Sequence, residues 1–192
     1  GGFTTIKAFA TNIDTGDKII LSDVISANTL DNVAIDGSLI IKLADGDNTI
    51  TTEDDLLDKG EILYIDGSAI GEDYALHFNG SAEKDGVFVI KGGAGDDIII
   101  GGAGDDTIRG GAGDNTMDGG GGSDVYVIDS DFEADCDNII EDSGTGESAV
   151  DVLHVTADAD FSNVSDGEGN RRIHSDMGIE KIFIDDSEGD IR

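Results

Sequence analysis

Four residues with side-chain oxygens, Asp97, Asp106, Asn115 and Asp124, recur at intervals of nine positions. Each follows a glycine-rich run. The rows read GGAGDDIII (92–100), GGAGDDTIR (101–109), GGAGDNTMD (110–118) and GGGGSDVYV (119–127). Glycine enters left-handed or strained backbone cheaply, so three glycines in four positions describe a tight turn with its carbonyls turned to one side. Beside a carboxylate, such a turn is a shell of oxygens. Oxygen ligands without histidine or thiolate select a hard cation, and carbonyl plus carboxylate in a flexible loop favours calcium over magnesium, which demands a stricter octahedron.

Charge supports the same chemistry. Residues 92–127 hold seven acids (Asp96, Asp97, Asp105, Asp106, Asp114, Asp118, Asp124) against one base, Arg109. Stacked without a cation, such carboxylates would repel by about 1 to 4 kcal/mol per pair at ~4 Å.

The elements that must position these groups follow from the end of each row. Its last three residues are mostly β-branched or apolar, too few for a helix and suited to a short strand whose middle side chain points inward. Those inward residues are Ile99, Ile108, Met117 and Tyr126. A flexible linker has no reason to place them nine apart. Turn, strand, turn, strand coils into a flattened solenoid.

The pattern G-G-x-G-x-D-x-U-x is that of a parallel β-helix whose turns bind calcium. The four rows resemble the RTX family, the haemolysin-type calcium-binding repeats of secreted bacterial proteins. The resemblance implies an all-β fold: a parallel β-roll (β-helix or solenoid) of glycine-rich nonapeptide repeats with irregular β-rich capping segments on both sides. It also implies that turns alternate between two edges, with each ion held between a row and the next row but one. The earlier row would give its second and fourth carbonyls and its sixth side chain, the later row its first and third carbonyls and its own sixth. Carried over, one calcium falls to Gly93, Gly95, Asp97, Gly110, Ala112 and Asn115, and a second to Gly102, Gly104, Asp106, Gly119, Gly121 and Asp124. Asn115 stands where the family has Asp and brings no charge, so the first site is expected to be the weaker. Half-sites remain at the ends: Gly92, Ala94 and Asp97 face backward, and Gly111, Gly113 and Asn115 face forward, towards Asp137 as a candidate to complete a shell. At least two ions are expected, with a third or fourth at these margins.

The whole chain has 192 residues, 43 acids and 11 bases, a net charge of −32. Nothing here could neutralise phosphates, which excludes nucleic acid as a partner. So acidic a chain repels itself unless cations bind, and suits a calcium-rich or saline exterior. With 38% hydrophobic and 5% aromatic residues the core is thin, and the calcium-free chain is expected to be partly disordered. Cys136 is alone and forms no internal disulfide, so an extracellular protein of this kind needs another source of stability, which metal can supply. No apolar run approaches a membrane span. Gly1-Gly2 in place of an initiating Met reads as a cloning scar or a cut from a longer chain.

Four regions are expected: a β-rich N-terminal flank (1–60), irregular coils forming a cap (61–91), the four rows (92–127), and degenerate rows with a C-terminal cap (128–192). Strands are expected at 4–9, 18–22, 33–35 and 39–43, the last two joined as a hairpin through Asp36-Gly37. Residues 14–22 also resemble segments that accompany RTX blocks. Thr52, the acids at 53–55 and Gly60 give a helix start and stop. Further strands are expected at 62–65, 74–78 and 87–90, then a degenerate row at 137–141 and strands at 151–155 and 179–184, with polar loops at 142–148 and 162–172.

No catalytic constellation stands out. His77, His154 and His174 occur singly, and neither G-x-S-x-G, a phosphate loop nor an EF-hand template is present. The expected function is therefore that of a calcium-binding module of an exported bacterial protein, extracellular or on the cell surface, folding on calcium binding. Its role would be structural or adhesive, with calcium-dependent self-association or a surface ligand. The alternatives are a calcium-binding tail of a secreted enzyme, or a carbohydrate- or peptide-binding domain acting through the polar loops.

Overall fold

A computed structural model describes residues 18–20, 28–30, 38–52, 54, 56–128, 138–140, 143, 150–155 and 179–184. The strands are β1 (Lys18–Ile20), β2 (Asn28–Leu30), β3 (Ser38–Lys42), β4 (Asn48–Thr52), β5 (Ile62–Asp66), β6 (Leu76–Asn79), β7 (Val87–Lys91), β8 (Ile98–Ile100), β9 (Thr107–Arg109), β10 (Thr116–Asp118), β11 (Val125–Ile128), β12 (Ile139–Ile140), β13 (Asp151–Val155) and β14 (Ile179–Ile184). From β1 to β13 consecutive strands fall alternately into two sheets. One is ordered β1-β3-β5-β7-β9-β11-β13-β14, the other β12-β10-β8-β6-β4-β2. Every pairing is parallel. This is the expected all-β parallel solenoid, and the flanking strands belong to the same two sheets as the four rows.

Alternation along each strand makes the core. In β4, β5 and β7 buried and half-buried residues alternate, because successive side chains leave a strand on opposite faces. Parallel register then stacks like on like. In the larger sheet Ile41, Ile65, Ile90, Ile108, Tyr126 and Leu153 pair in sequence. In the smaller one the column is Ile50, Phe78, Ile99, Met117 and Ile140. All of these side chains are buried, including the four eighth-place residues expected to point inward. Phe78 and Phe88 meet edge to face, with ring centroids 5.1 Å apart.

A coil takes eighteen residues where the rows are regular, as from Ile90 to Ile108 and from Ile99 to Met117. It takes more elsewhere, as from Ile50 to Phe78, because the turns between the strands carry insertions.

Three expectations are corrected. No helix forms among the described residues of 52–60: Thr52 closes β4, and Leu56 and Leu57 are buried in the core. Leu57 N–H donates to the Glu83 carboxylate (3.0 Å), so this main chain is tied to a distant turn instead of a helical carbonyl. The 39–43 strand is not half of a hairpin, since both edges of β3 are taken by parallel partners, β1 and β5. Tyr74 does not open a strand; it lies in a turn, 42% exposed, and β6 starts at Leu76. Strands β2 and β4 are additional to those expected. Residues 4–9, 33–37, 137, 142, 144–148, 162–172 and 174, which carry several of the expectations above, lie outside the described residues.

Candidate metal centre

The turns that precede the rows' strands stack edge on edge. Because β10 pairs with β8 and β11 with β9, turns of rows one and three share one edge, and those of rows two and four the other. Asp114 N–H donates to Asp96 Oδ1 and Ser123 N–H to Asp105 Oδ1, both at 2.8 Å.

The sixth-place side chains sit at the entry to each strand and are buried. On one edge the column runs Asn48, Leu76, Asp97, Asn115, Asn138, and on the other Leu63, Phe88, Asp106, Asp124, Asp151. Each acid or amide of the rows takes a main-chain N–H from the coil before it. Leu76 N–H donates to Asp97 Oδ1 (2.6 Å), Phe88 to Asp106 Oδ1 (2.7 Å), Asp97 to Asn115 Oδ1 (2.9 Å) and Asp106 to Asp124 Oδ1 (2.8 Å). Asp124 N–H continues the series to Asp151 Oδ1 (2.8 Å). The second carboxylate oxygens of Asp97 and Asp106 accept N–H from Gly93 and Gly102 within their own turns, each at 2.7 Å.

Main-chain oxygens converge on these carboxylates. A Cβ added to Gly92 would run into both Gly110 O and Asp97 Oδ2, and one added to Gly101 into both Gly119 O and Asp106 Oδ2. Only glycine at the first place leaves that space open, and in each case a carbonyl of the later row and the acid of the earlier row border it. Burial pushes the Asp97 carboxyl up to about 6, against N–H donation from Leu76 and Gly93. Burial likewise pushes Asp106 up to about 7, against donation from Gly102 and Phe88. A buried carboxylate facing a carbonyl calls for positive charge, and this donor set fits calcium. Among the described residues no three His, Cys, Asp or Glu side chains converge, so a cation here must draw on main-chain oxygens.

The other expected ligands lie in the same stacks. Gly93 and Gly95 carbonyls abut Gly111 and Gly113, while Gly102 and Gly104 carbonyls abut Gly120 and Gly122. Gly111, Gly113, Gly120 and Gly122 have φ of +94°, +84°, +86° and +110°, where a side chain is strained. Gly93 O also accepts Ala112 N–H (3.2 Å) and Gly102 O accepts Gly121 N–H (2.8 Å), leaving each carbonyl a second lone pair. Gly121 is open: an added Cβ would approach nothing closer than 3.5 Å, in keeping with Ala94, Ala103 and Ala112 at that place in other rows. Asn115 faces differently from the aspartates, with Nδ2 3.1 Å from Ala112 O and 3.2 Å from Gly113 O.

Two features are additional to the residues singled out by sequence. Asn48 occupies the sixth place of a further row, and the signal for it is present: Gly46-Asp47-Asn48-Thr49-Ile50 repeats Gly113-Asp114-Asn115-Thr116-Met117. Glu83 is fully buried, its carboxylate accepting N–H from Leu57, Lys84, Asp85 and Gly86 at 3.0 to 3.3 Å, and no local pattern marks it. Away from the turns, a groove on the outer face of the larger sheet is lined in part by Lys42, Tyr64, Asp66, Lys91 and Arg109. Burial pushes the Asp66 carboxyl up, but its ion pair with Lys42 and hydrogen bonds from Ser68 outweigh this and bring it down to about 2.

Parallel coils with an acid or amide buried at the strand entry of each of the four rows, and glycine turns that bring carbonyls to it, define a calcium-type β-roll. Residues 91–126 match the RTX calcium-binding nonapeptide repeat in four copies, one residue ahead of the rows as framed above. No curated protein and no solved structure gives a match to the chain. The protein thus carries four RTX calcium-binding repeats folded as a β-roll, over 36 of its 192 residues.

Proposed function

We propose that the roll is a calcium-folded structural module of an exported bacterial protein. Repeats of this kind are typical of such proteins. The reading rests foremost on the meeting of Asp106 Oδ2 with Gly119 O beside Gly101, within a column that continues through the buried Asp124.

Gly102 and Gly104 carbonyls with Asp106, and Gly119 and Gly121 carbonyls with Asp124, form the stronger cation site. Gly93, Gly95, Asp97, Gly110, Ala112 and Asn115 form the second, with one charge fewer. Calcium bound there would neutralise the buried carboxylates and fix the turns in register. Without it the chain's own acids hold the turns apart, which suits passage through a low-calcium cytoplasm in a loose state, and folding follows outside.

Circular dichroism during a calcium titration tests this, with half-saturation expected at about 10⁻⁴ to 10⁻³ M as for extracellular modules. A β signal unchanged between chelator and millimolar calcium would sink the proposal. Sedimentation in calcium separates a self-associating surface unit from one acting as a monomer.

A further inference from the structure

Asn115 is built into its turn the opposite way from Asp97 and Asp106. Its Oδ1 accepts Asp97 N–H at 2.9 Å, as Asp124 Oδ1 accepts Asp106 N–H at 2.8 Å. Its other atom is a donor. Nδ2 lies 3.1 Å from Ala112 O, 3.2 Å from Gly113 O and 3.4 Å from Gly111 O. Reversing the amide would set its N–H groups against the Asp97 N–H and its oxygen against three carbonyls, so the hydrogen bonds fix the orientation. In rows one and two the corresponding atom is a carboxylate oxygen, and the turn offers it the N–H of Gly93 or Gly102.

A second amide repeats the arrangement on the same edge. Asn48 Nδ2 donates to Ala44 O (2.9 Å) and Gly46 O (2.7 Å), and Gly46 is left-handed, with φ +130°, as Gly113 is. Both asparagines precede a coil with no acid at the facing place: Leu76 follows Asn48 in the column, and Asn138 follows Asn115. Where the rows carry Asp97, Asp106 and Asp124, the next place is Asn115, Asp124 and Asp151.

We propose that the Asn115 amide takes the place of a cation in the forward half of its turn, so that the ion column on this edge ends at row three. Asn48 seals its own turn in the same way. The proposal rests on the reading of the turns as calcium sites. Gly111 and Gly113 carbonyls, which would otherwise face a further ion, are held by N–H groups, and Asn138 adds no charge from the next coil. An ion entering there would have to displace these bonds and would meet the positive end of an amide dipole.

Native mass spectrometry in calcium tests it by counting ions on the intact chain. Asn115→Asp removes the donor and adds a carboxylate, so the variant should bind one ion more than the parent. If the two bind the same non-zero number and only affinity changes, Asn115 is a poor ligand of the row one and row three site, and the proposal falls while the calcium reading stands. If neither binds an ion, the calcium reading falls and takes the proposal with it. A second measurement does not depend on the variant folding. In the calcium-loaded parent the Asn115 side-chain amide protons should exchange slowly with solvent, and exchange at the rate of exposed amides overturns the proposal.

Discussion

Asp106 N–H donates to Asp124 Oδ1 at 2.8 Å inside the roll, so the carboxylate we propose as a calcium ligand also splices one coil to the next. In the proposed site ion binding and coil stacking would use the same side chain, so a change at Asp124 should affect both.

Replacing Asp106 or Asp124 by Ala should raise the calcium concentration for half-folding by about tenfold or more, since each change removes a charge and leaves N–H groups unpaired at about 1 to 3 kcal/mol apiece. Asn115→Ala should raise it less, because no charge is lost. Titration followed by circular dichroism ranks the three, and the opposite order would refute the ligand assignment.

In chelator, acid should favour the folded roll. Asp97 and Asp106 titrate near 6 and 7 in the fold, against 3.8 for an ordinary exposed aspartate. Their protonated forms thus favour folding fully below about pH 4, and this advantage disappears as pH rises through 6 and 7. The loss is on the order of a few kcal/mol. Urea midpoints in chelator should fall between pH 5 and pH 8, and a flat profile would speak against buried carboxyls without a cation.

Tyr126→Phe should destabilise the roll by about 1 to 3 kcal/mol, because the Tyr126 hydroxyl accepts Gly119 N–H at 2.6 Å in a fully buried setting. The adjacent Gly119 carbonyl should lose its fixed aim, so thermal midpoint and calcium affinity should fall together. A drop in the thermal midpoint with affinity intact would detach the tyrosine from the site.

Two glycines of neighbouring rows should behave in opposite ways when changed to Ala. Gly111→Ala places a methyl group against Gly93 O at a left-handed φ of +94° and should prevent stacking of rows one and three. Gly121→Ala meets open space and should stay within about 0.5 kcal/mol of the parent. Calcium-dependent melting curves of both variants give the comparison.

The nine-residue spacing makes the inward column legible, since Ile99, Ile108, Met117 and Tyr126 leave one packing solution for three-residue strands. The edge pairing of rows and the sixth-place oxygens are equally readable from the family resemblance. The flanks are harder, because insertions stretch the coil from eighteen residues to the interval between Ile50 and Phe78 and hide the repeat that Asn48 belongs to. Acids next to Leu56 and Leu57 imitate a helix start, and only the distant Glu83 carboxylate, which claims Leu57 N–H, decides otherwise. The direction of the Asn115 amide depends on the main chain of two different coils, which no local pattern encodes.

The column bonds all run one way. On one edge the Asp97 and Asn115 side chains accept from the main chain of Leu76 and Asp97. On the other, Asp106, Asp124 and Asp151 accept from that of Phe88, Asp106 and Asp124. The roll is therefore polar like a row of roof tiles, each held down by the one laid after it. Losing a coil from the C-terminal side frees these strand-entry N–H groups, whereas losing one from the N-terminal side frees others, such as Thr116 N–H from Asp97 O and Val125 N–H from Asp106 O.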